Sequence, residues 1–263
     1  MIAYAVSDTW ALVGRHMRHI ARIPEKLLSI TLMPVAYVVI FGCLFGTAIA
    51  VPGGDYREYL MAGIFTQTML SNISNTALGV ADDLGNGLVD RFRSLPMSQP
   101  AVLVGRTVSA LVLSALSCTV MAVVGFAIGW RVHHGVGPAL AAFGLLLLLG
   151  FAMAWLGALI GLLVRGPEAI SAVAFVIVMP LTFLSNAFIP LGGLPAWLRT
   201  VCEWNPISAV IAACRELFGN PTALTGTALP SRHPVPMSVA LTLVVIVVVA
   251  PLATRAYRTA VAR

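Results

Sequence analysis

GVGPALAAFGLLLLLGFAMAWLGALIGLLV, residues 135–164, runs for thirty residues without an Asp, Glu, Lys or Arg. A helix that crosses a bilayer needs about 20 predominantly apolar residues. This stretch exceeds that length, so it reads as a transmembrane helix. Residues 27–54, 59–81, 107–130, 169–190 and 233–254 also carry no charged side chain. The chain is therefore expected to be all-α, a single polytopic membrane domain over residues 1–263 with six transmembrane helices. Composition agrees. Hydrophobic residues make up 59% of the chain and charged residues 10%, whereas soluble domains are about a quarter charged. No soluble core could hide that much apolar surface, so lipid is the solvent.

The net charge of +6 does not point to nucleic acid, because no basic patch is interleaved with aromatics. The basic residues sit between the apolar spans, where they act as topology signals. With the N-terminus in the cytoplasm, the inside segments hold Arg15, Arg18, Arg22, Lys26, Arg91, Arg93, Arg106, Arg165, Arg255, Arg258 and Arg263. The outside segments hold only Arg57, Arg131, Arg199, Arg215 and Arg232. That bias predicts both termini inside.

Residues 1–26 do not read as a cleavable signal, because the basic residues come late and no short apolar run with a cleavage site follows. On a helix, Val6, Trp10, Val13, Met17 and Ile20 share one face and the three arginines the other. The pattern predicts an interfacial amphipathic helix contacting membrane lipids. Pro24 marks its bend into the first span.

Residues 191–232 predict external or re-entrant helices before the last span. Leu194 to Glu203 and Pro206 to Phe218 each have helical character. Asn205-Pro206 reads as a cap followed by proline at the first helical position, and Gly219-Asn220-Pro221 as a stop. The second helix is too short to span, and spanning would place Arg215 and Glu216 deep in lipid. A dip into the outer leaflet is expected, with Arg215 and Glu216 anchoring it at the headgroups.

Residues 82–100, DDLGNGLVDRFRSLPMSQP, form the expected inside segment between spans two and three. Gly85-Asn86-Gly87 allows a sharp turn. Leu88, Val89, Asp90, Arg91, Phe92, Arg93, Ser94, Leu95 and Pro96 can make about two helical turns with an apolar face and charged flanks. Such a helix suits docking into a groove of another protein; a solvated turn with topology-setting arginines fits composition equally well. In span two, Gln67, Ser71, Ser74 and Asn75 recur at helical spacing, with Asn72 off that stripe. They line a substrate path or make interhelical hydrogen bonds. Near the outer end of span five, Asn186 joins the substrate-path candidates. Pro180 within that span makes a hinge or a static kink.

The other chemistry-bearing residues point to no site. The single lysine, Lys26, follows Glu25, so no GxxxxGK[ST] phosphate loop exists. HExxH, GxSxG and GxGxxG are also absent, and no catalytic residues are assigned. No Cys or His set has metal spacing, so no metal site is expected. His133-His134 read as solvated. Cys43 and Cys118 read as apolar filler within spans, while Cys202 and Cys214 could pair in the external segment. Trp130, Trp197 and Trp204 fall at expected span ends, as an aromatic belt would; Trp155 falls inside span four.

Two stretches carry a resemblance. GLVDRFRSLPMS, and FLSNAFIPLGGLPAWLR followed by WNPISAVIAACRELFG, resemble ABC-2-type transporter permeases of the daunorubicin-resistance type. The resemblance covers nearly the whole chain. Gln99 departs from it, standing where a basic residue is expected. It implies a bacterial plasma-membrane exporter subunit for a lipophilic drug, lipid or polyketide. It also implies a second permease copy or paralogue, and a separate cytoplasmic ABC ATPase that binds ATP and magnesium. Residues 88–96 would be the coupling helix resting in that ATPase. This chain itself would bind no cofactor. The alternatives are an ATP-independent transporter or channel, whose ionisable groups should lie inside the bundle, and a scaffold without cargo.

Overall fold

The computed structural model describes residues 32, 35–41, 51, 54–85, 99–188, 191–222 and 228–262. The interfacial helix expected over 1–26, most of the first span and the 88–96 segment lie outside those residues. The described residues are helical, with no strand beyond a single Val51–Gly54 bridge. After a helical stretch over 35–41, the helices are α1 (Tyr56–Leu70), α2 (Asn72–Gly85), α3 (Gln99–Ala127), α4 (Val136–Leu163) and α5 (Pro167–Phe183). A 3-10 turn over Leu191–Gly193 precedes α6 (Ala196–Trp204), α7 (Pro206–Phe218), α8 (Leu229–Arg232) and α9 (Pro234–Ala262).

Among the described residues three segments are long and apolar enough to cross a membrane: Leu103–Ala127, Val136–Leu163 and Pro234–Thr259. They differ in surroundings. Two-thirds (67%) of the α4 window is buried inside the chain, against 28% for α3 and 11% for α9. Helix α4 is therefore the central post, touching α1, α2, α3, α5, α7 and α9, while α9 presents Val244, Val247 and Val248 outward.

Lipid gives helices no hydrophobic reason to pack, so close backbone approach and hydrogen bonds must do it. Helix α4 supplies both. A Cβ at Gly157 would fall on the Ile73 carbonyl oxygen, and one at Gly161 on the Ala77 carbonyl oxygen. These two glycines, four residues apart, let α2 lie directly against α4. Toward the other end, Phe65, Trp130, Phe143 and Phe218 form an aromatic cluster with ring centroids 5.1–6.1 Å apart where α1, α4, α7 and the end of α3 meet. Trp130 is fully buried, and its indole N–H donates to Asn220 Oδ1 at 2.8 Å. It is thus a core residue and not a headgroup anchor; among the described residues Trp197 and Trp204 are the exposed indoles.

The stretch expected as one span over 59–81 is two helices with a turn at Ser71. The break is slight, since Asn75 N–H still donates to Ser71 O at 3.1 Å. Helix α1 starts where Asp55 accepts from Arg57 N–H, with Glu58 in the first turn. Helix α3 begins at Gln99, eight residues before the expected start of the third span at 107, with Pro100 in its first turn. Helix α5 stops at Phe183, seven residues before the expected end at 190. Side-chain donors take over the carbonyls at its end: Asn205 Nδ2, from the start of α7, donates to Leu181 O and Leu184 O, and Ser185 Oγ donates locally to Thr182 O.

Candidate functional site at the arginine end of the bundle

The polar stripe divides along its length. Gln67 is half-buried and its Oε1 accepts from Thr182 Oγ1 at 2.8 Å, tying α1 to α5. Ser74 is half-buried, whereas Ser71 and Asn75 are exposed on the outside of this chain. Asn72, off the stripe, is the residue that binds the bundle. It is buried, and its Nδ2 donates to Ser114 Oγ at 2.7 Å and Gly150 O at 3.4 Å. Interhelical bonding thus falls to Asn72 and Gln67. Ser71 and Asn75 are left facing away from the packed core.

Asn186 sits elsewhere, beyond the end of α5 and within a hub built around Arg215. Helix α7 places Arg215 on the same face as Ile211 and Phe218. Its boundaries are those the sequence specifies: Asn205 Oδ1 accepts from Ile207 N–H, and Gly219 adopts φ 73 in the left-handed region. Arg215 is 1% exposed. Its Nε donates to Tyr59 O at 2.9 Å, and one terminal nitrogen donates to Asn186 O at 2.9 Å and Ala187 O at 3.1 Å. The Tyr59 hydroxyl donates to the same Asn186 carbonyl at 2.9 Å. Tyr56 adds a bond to Phe188 O at 3.2 Å. Among the described residues no carboxylate pairs with Arg215. Backbone carbonyls and an aromatic face therefore carry its charge, and the headgroup-anchor expectation is corrected for Arg215; Glu216 is exposed. An arginine in line with Ile211 and Phe218 was the signal for burial, but the carbonyls of Tyr59, Asn186 and Ala187 that receive it lie far along the chain and cannot be read from sequence.

The opposite end carries a second charged contact. Arg106 of α3 pairs with Asp83 of α2, and its guanidinium lies over Gly79, where any Cβ would collide with it. The pair spans the two helices flanking residues 86–98. Near the Arg215 end, His133 Nε2 lies 2.8 Å from Glu58 Oε1, so this histidine has a partner and is not simply solvated. Among the described residues no group of three His, Cys, Asp or Glu side chains could hold a metal. Cys118, Cys202 and Cys214 are free and buried, so Cys202 and Cys214 are not bridged.

Comparison with known proteins is consistent with this architecture. The family model for ABC-2 type transporters matches residues 7–218. A daunorubicin resistance ABC transporter permease protein of Streptomyces coeruleorubidus is 30% identical over 216 residues, covering 82% of this chain and 76% of the relative. A putative transport permease of Cyanophora paradoxa is 26% identical over 86% of this chain and 79% of its own length. A probable doxorubicin resistance permease of Mycobacterium tuberculosis is 23% identical, covering 80% of this chain and 76% of the relative.

Proposed function

Because the chain belongs to the ABC-2 type transporter family, we propose that it is the permease subunit of an ATP-driven exporter. The observation that carries the proposal is the family match over residues 7–218. In this reading six helices cross the plasma membrane of a bacterium, both termini are cytoplasmic, and residues 1–26 lie in the interface. The α6–α7 pair dips in from outside. The cargo is a lipophilic drug, lipid or polyketide, in keeping with the resistance permeases among the relatives.

Energy comes from a separate ATPase chain, which binds ATP and magnesium. Residues 88–96 rest in that subunit and pass its closure to α2 and α3. A second permease copy or paralogue faces the α1–α2 rod. Exposed Ser71 and Asn75 support that last element, since an amide facing hydrocarbon is costly. A partner helix or a water-filled path between two permeases would satisfy it.

The test is co-purification with the cognate ATPase, comparing wild type with Arg91→Glu plus Arg93→Glu. Loss of association and of transport-coupled ATP hydrolysis is expected. Unchanged association with unchanged hydrolysis would refute docking through this segment. Uphill cargo movement by proteoliposomes containing this chain alone, driven by an ion gradient, would move the assignment to an ATP-independent transporter.

A further inference from the structure

A small cavity lies beside the hub but uses none of its donors. Asn186 and Leu191 line it from the segment after α5, Glu203 from α6, Ser208 and Ala212 from α7, and Ser231 from α8. It is partly open, and its free space is about that of one water molecule. The chemistry of the lining is one-sided. Asn186 is 6% exposed and its Oδ1 has no hydrogen-bond partner. Glu203 is 8% exposed, and no hydrogen bond or ion pair to it occurs among the described residues. Ser208 Oγ already accepts from Asn186 N–H, and Ser231 adds another hydroxyl. No basic side chain lines the space. The donors of neighbouring Arg215 are committed to the carbonyls of Tyr59, Asn186 and Ala187.

The buried amide oxygen of Asn186 has no partner, which costs free energy unless a donor reaches it, and the Glu203 carboxylate beside it, without an ion pair among the described residues, favours a donor that carries positive charge. An ammonium group has the size of a water molecule, carries one positive charge and donates several hydrogen bonds to oxygen. A quaternary ammonium is too wide for the space and has no N–H to donate. We propose that this cavity is a binding site for a singly charged cation of water's size, the primary ammonium group of an amphiphilic molecule. Glu203 neutralises it, and Asn186 Oδ1 with the Ser231 hydroxyl accepts its N–H groups. The site does not depend on the transport reading, because binding requires neither the ATPase nor a second permease.

The full chain in phosphatidylcholine nanodiscs is titrated with n-hexylammonium by calorimetry, with empty nanodiscs and hexanol as controls for partitioning. Saturable binding above both controls is expected. Glu203→Gln should weaken it about tenfold or more, the equivalent of ~1.4 kcal/mol. Tetramethylammonium should not compete. Ser231→Leu, which fills the cavity from α8, should abolish binding with the thermal midpoint unchanged, and it decides the matter if Glu203→Gln fails to fold. No saturable binding by wild type, or equal binding by the Ser231→Leu or Glu203→Gln protein, would overturn the site. Complete displacement by sodium at concentrations well below those of the amine would assign it to a free metal cation and overturn the ammonium assignment. Binding of hexanoate in place of hexylammonium would do the same.

Discussion

The guanidinium carbon of Arg215 lies 3.4 Å from the centre of the Tyr59 ring. One contact thereby joins the start of α1 to the end of α7, 156 residues apart in sequence. The guanidinium also binds three carbonyls, two of them in the segment where α5 has unwound. Arg215→Ala would remove all three of these bonds, leaving the Tyr59 hydroxyl as the side-chain donor to Asn186 O. Hydrogen bonds to charged groups contribute about 1.5–3 kcal/mol each, so a loss of roughly 3 kcal/mol or more is expected. Arg215→Lys keeps the charge without the planar fork and should recover only part. Tyr59→Phe, which loses a single hydroxyl bond, should cost about 1 kcal/mol. Thermal unfolding in detergent checks the order; an unchanged midpoint for Arg215→Ala would remove the hub.

The α2–α4 contact makes a different prediction. Gly157→Ala or Gly161→Ala drives a methyl group into a backbone carbonyl of α2, and overpacking of this kind costs about 1–3 kcal/mol. Gly144 has open space around its Cβ position. Gly144→Ala should therefore be neutral or slightly stabilising in the same unfolding assay.

Asn72 and Asn75 should separate stability from transport. Asn72→Val breaks the bonds to Ser114 and Gly150 and should cost about 0.6–2 kcal/mol. Asn75→Val touches nothing in the packed core and should leave monomer stability within about 0.5 kcal/mol of wild type. If Asn75 faces a path or a second permease, its replacement lowers cargo export or permease association in vesicles. Normal export and normal association together would remove it from the candidate path.

At the opposite end, if residues 88–96 dock on an ATPase as proposed, Asp83→Arg and Arg106→Asp singly should each weaken coupling between ATP hydrolysis and export. Each leaves a half-buried charge facing a like charge. The exchanged pair, Asp83→Arg with Arg106→Asp, should restore much of it. Gly79→Ala should resemble the single changes, because the methyl group displaces the Arg106 guanidinium. Failure of the exchange to rescue would limit the ion pair to a packing role.

Cys202 offers a pH-dependent reading of the external segment. Its burial, and behind that the Glu203 carboxylate, push the thiol above its ordinary value. A thiol whose pKa is raised in the fold holds its proton to higher pH than the unfolded chain does. Maleimide labelling of the folded protein should therefore rise at higher pH than labelling of the denatured protein. Mass spectrometry should find no bridge between Cys202 and Cys214 under non-reducing conditions. A bridged peptide, or coincident labelling curves, would contradict the structure.

What the sequence determined is whatever depends on local composition and spacing. The charge-free run at 135–164 makes a helix that must leave water. Asn205-Pro206 and Gly219 delimit α7, because a capping side chain, a fixed φ and a left-handed glycine act within a few residues. The motifs at 87–98 and 183–219 were enough to identify the family. Ser71, Ser74 and Asn75 were visible as a polar stripe, since helical spacing alone groups them.

Tertiary structure decided which polar groups are consumed inside the chain. Asn72 lies outside that stripe yet carries the interhelical bonds, because Gly150 and Ser114 meet it across α4 and α3. Trp130 is core because Asn220, ninety residues later, supplies an acceptor for its N–H. Arg215 is buried because Asn186 and Ala187 stop short of helical bonding and leave carbonyls for it. Each of these depends on partners far along the chain, and local spacing holds no record of which distant group will satisfy a buried donor.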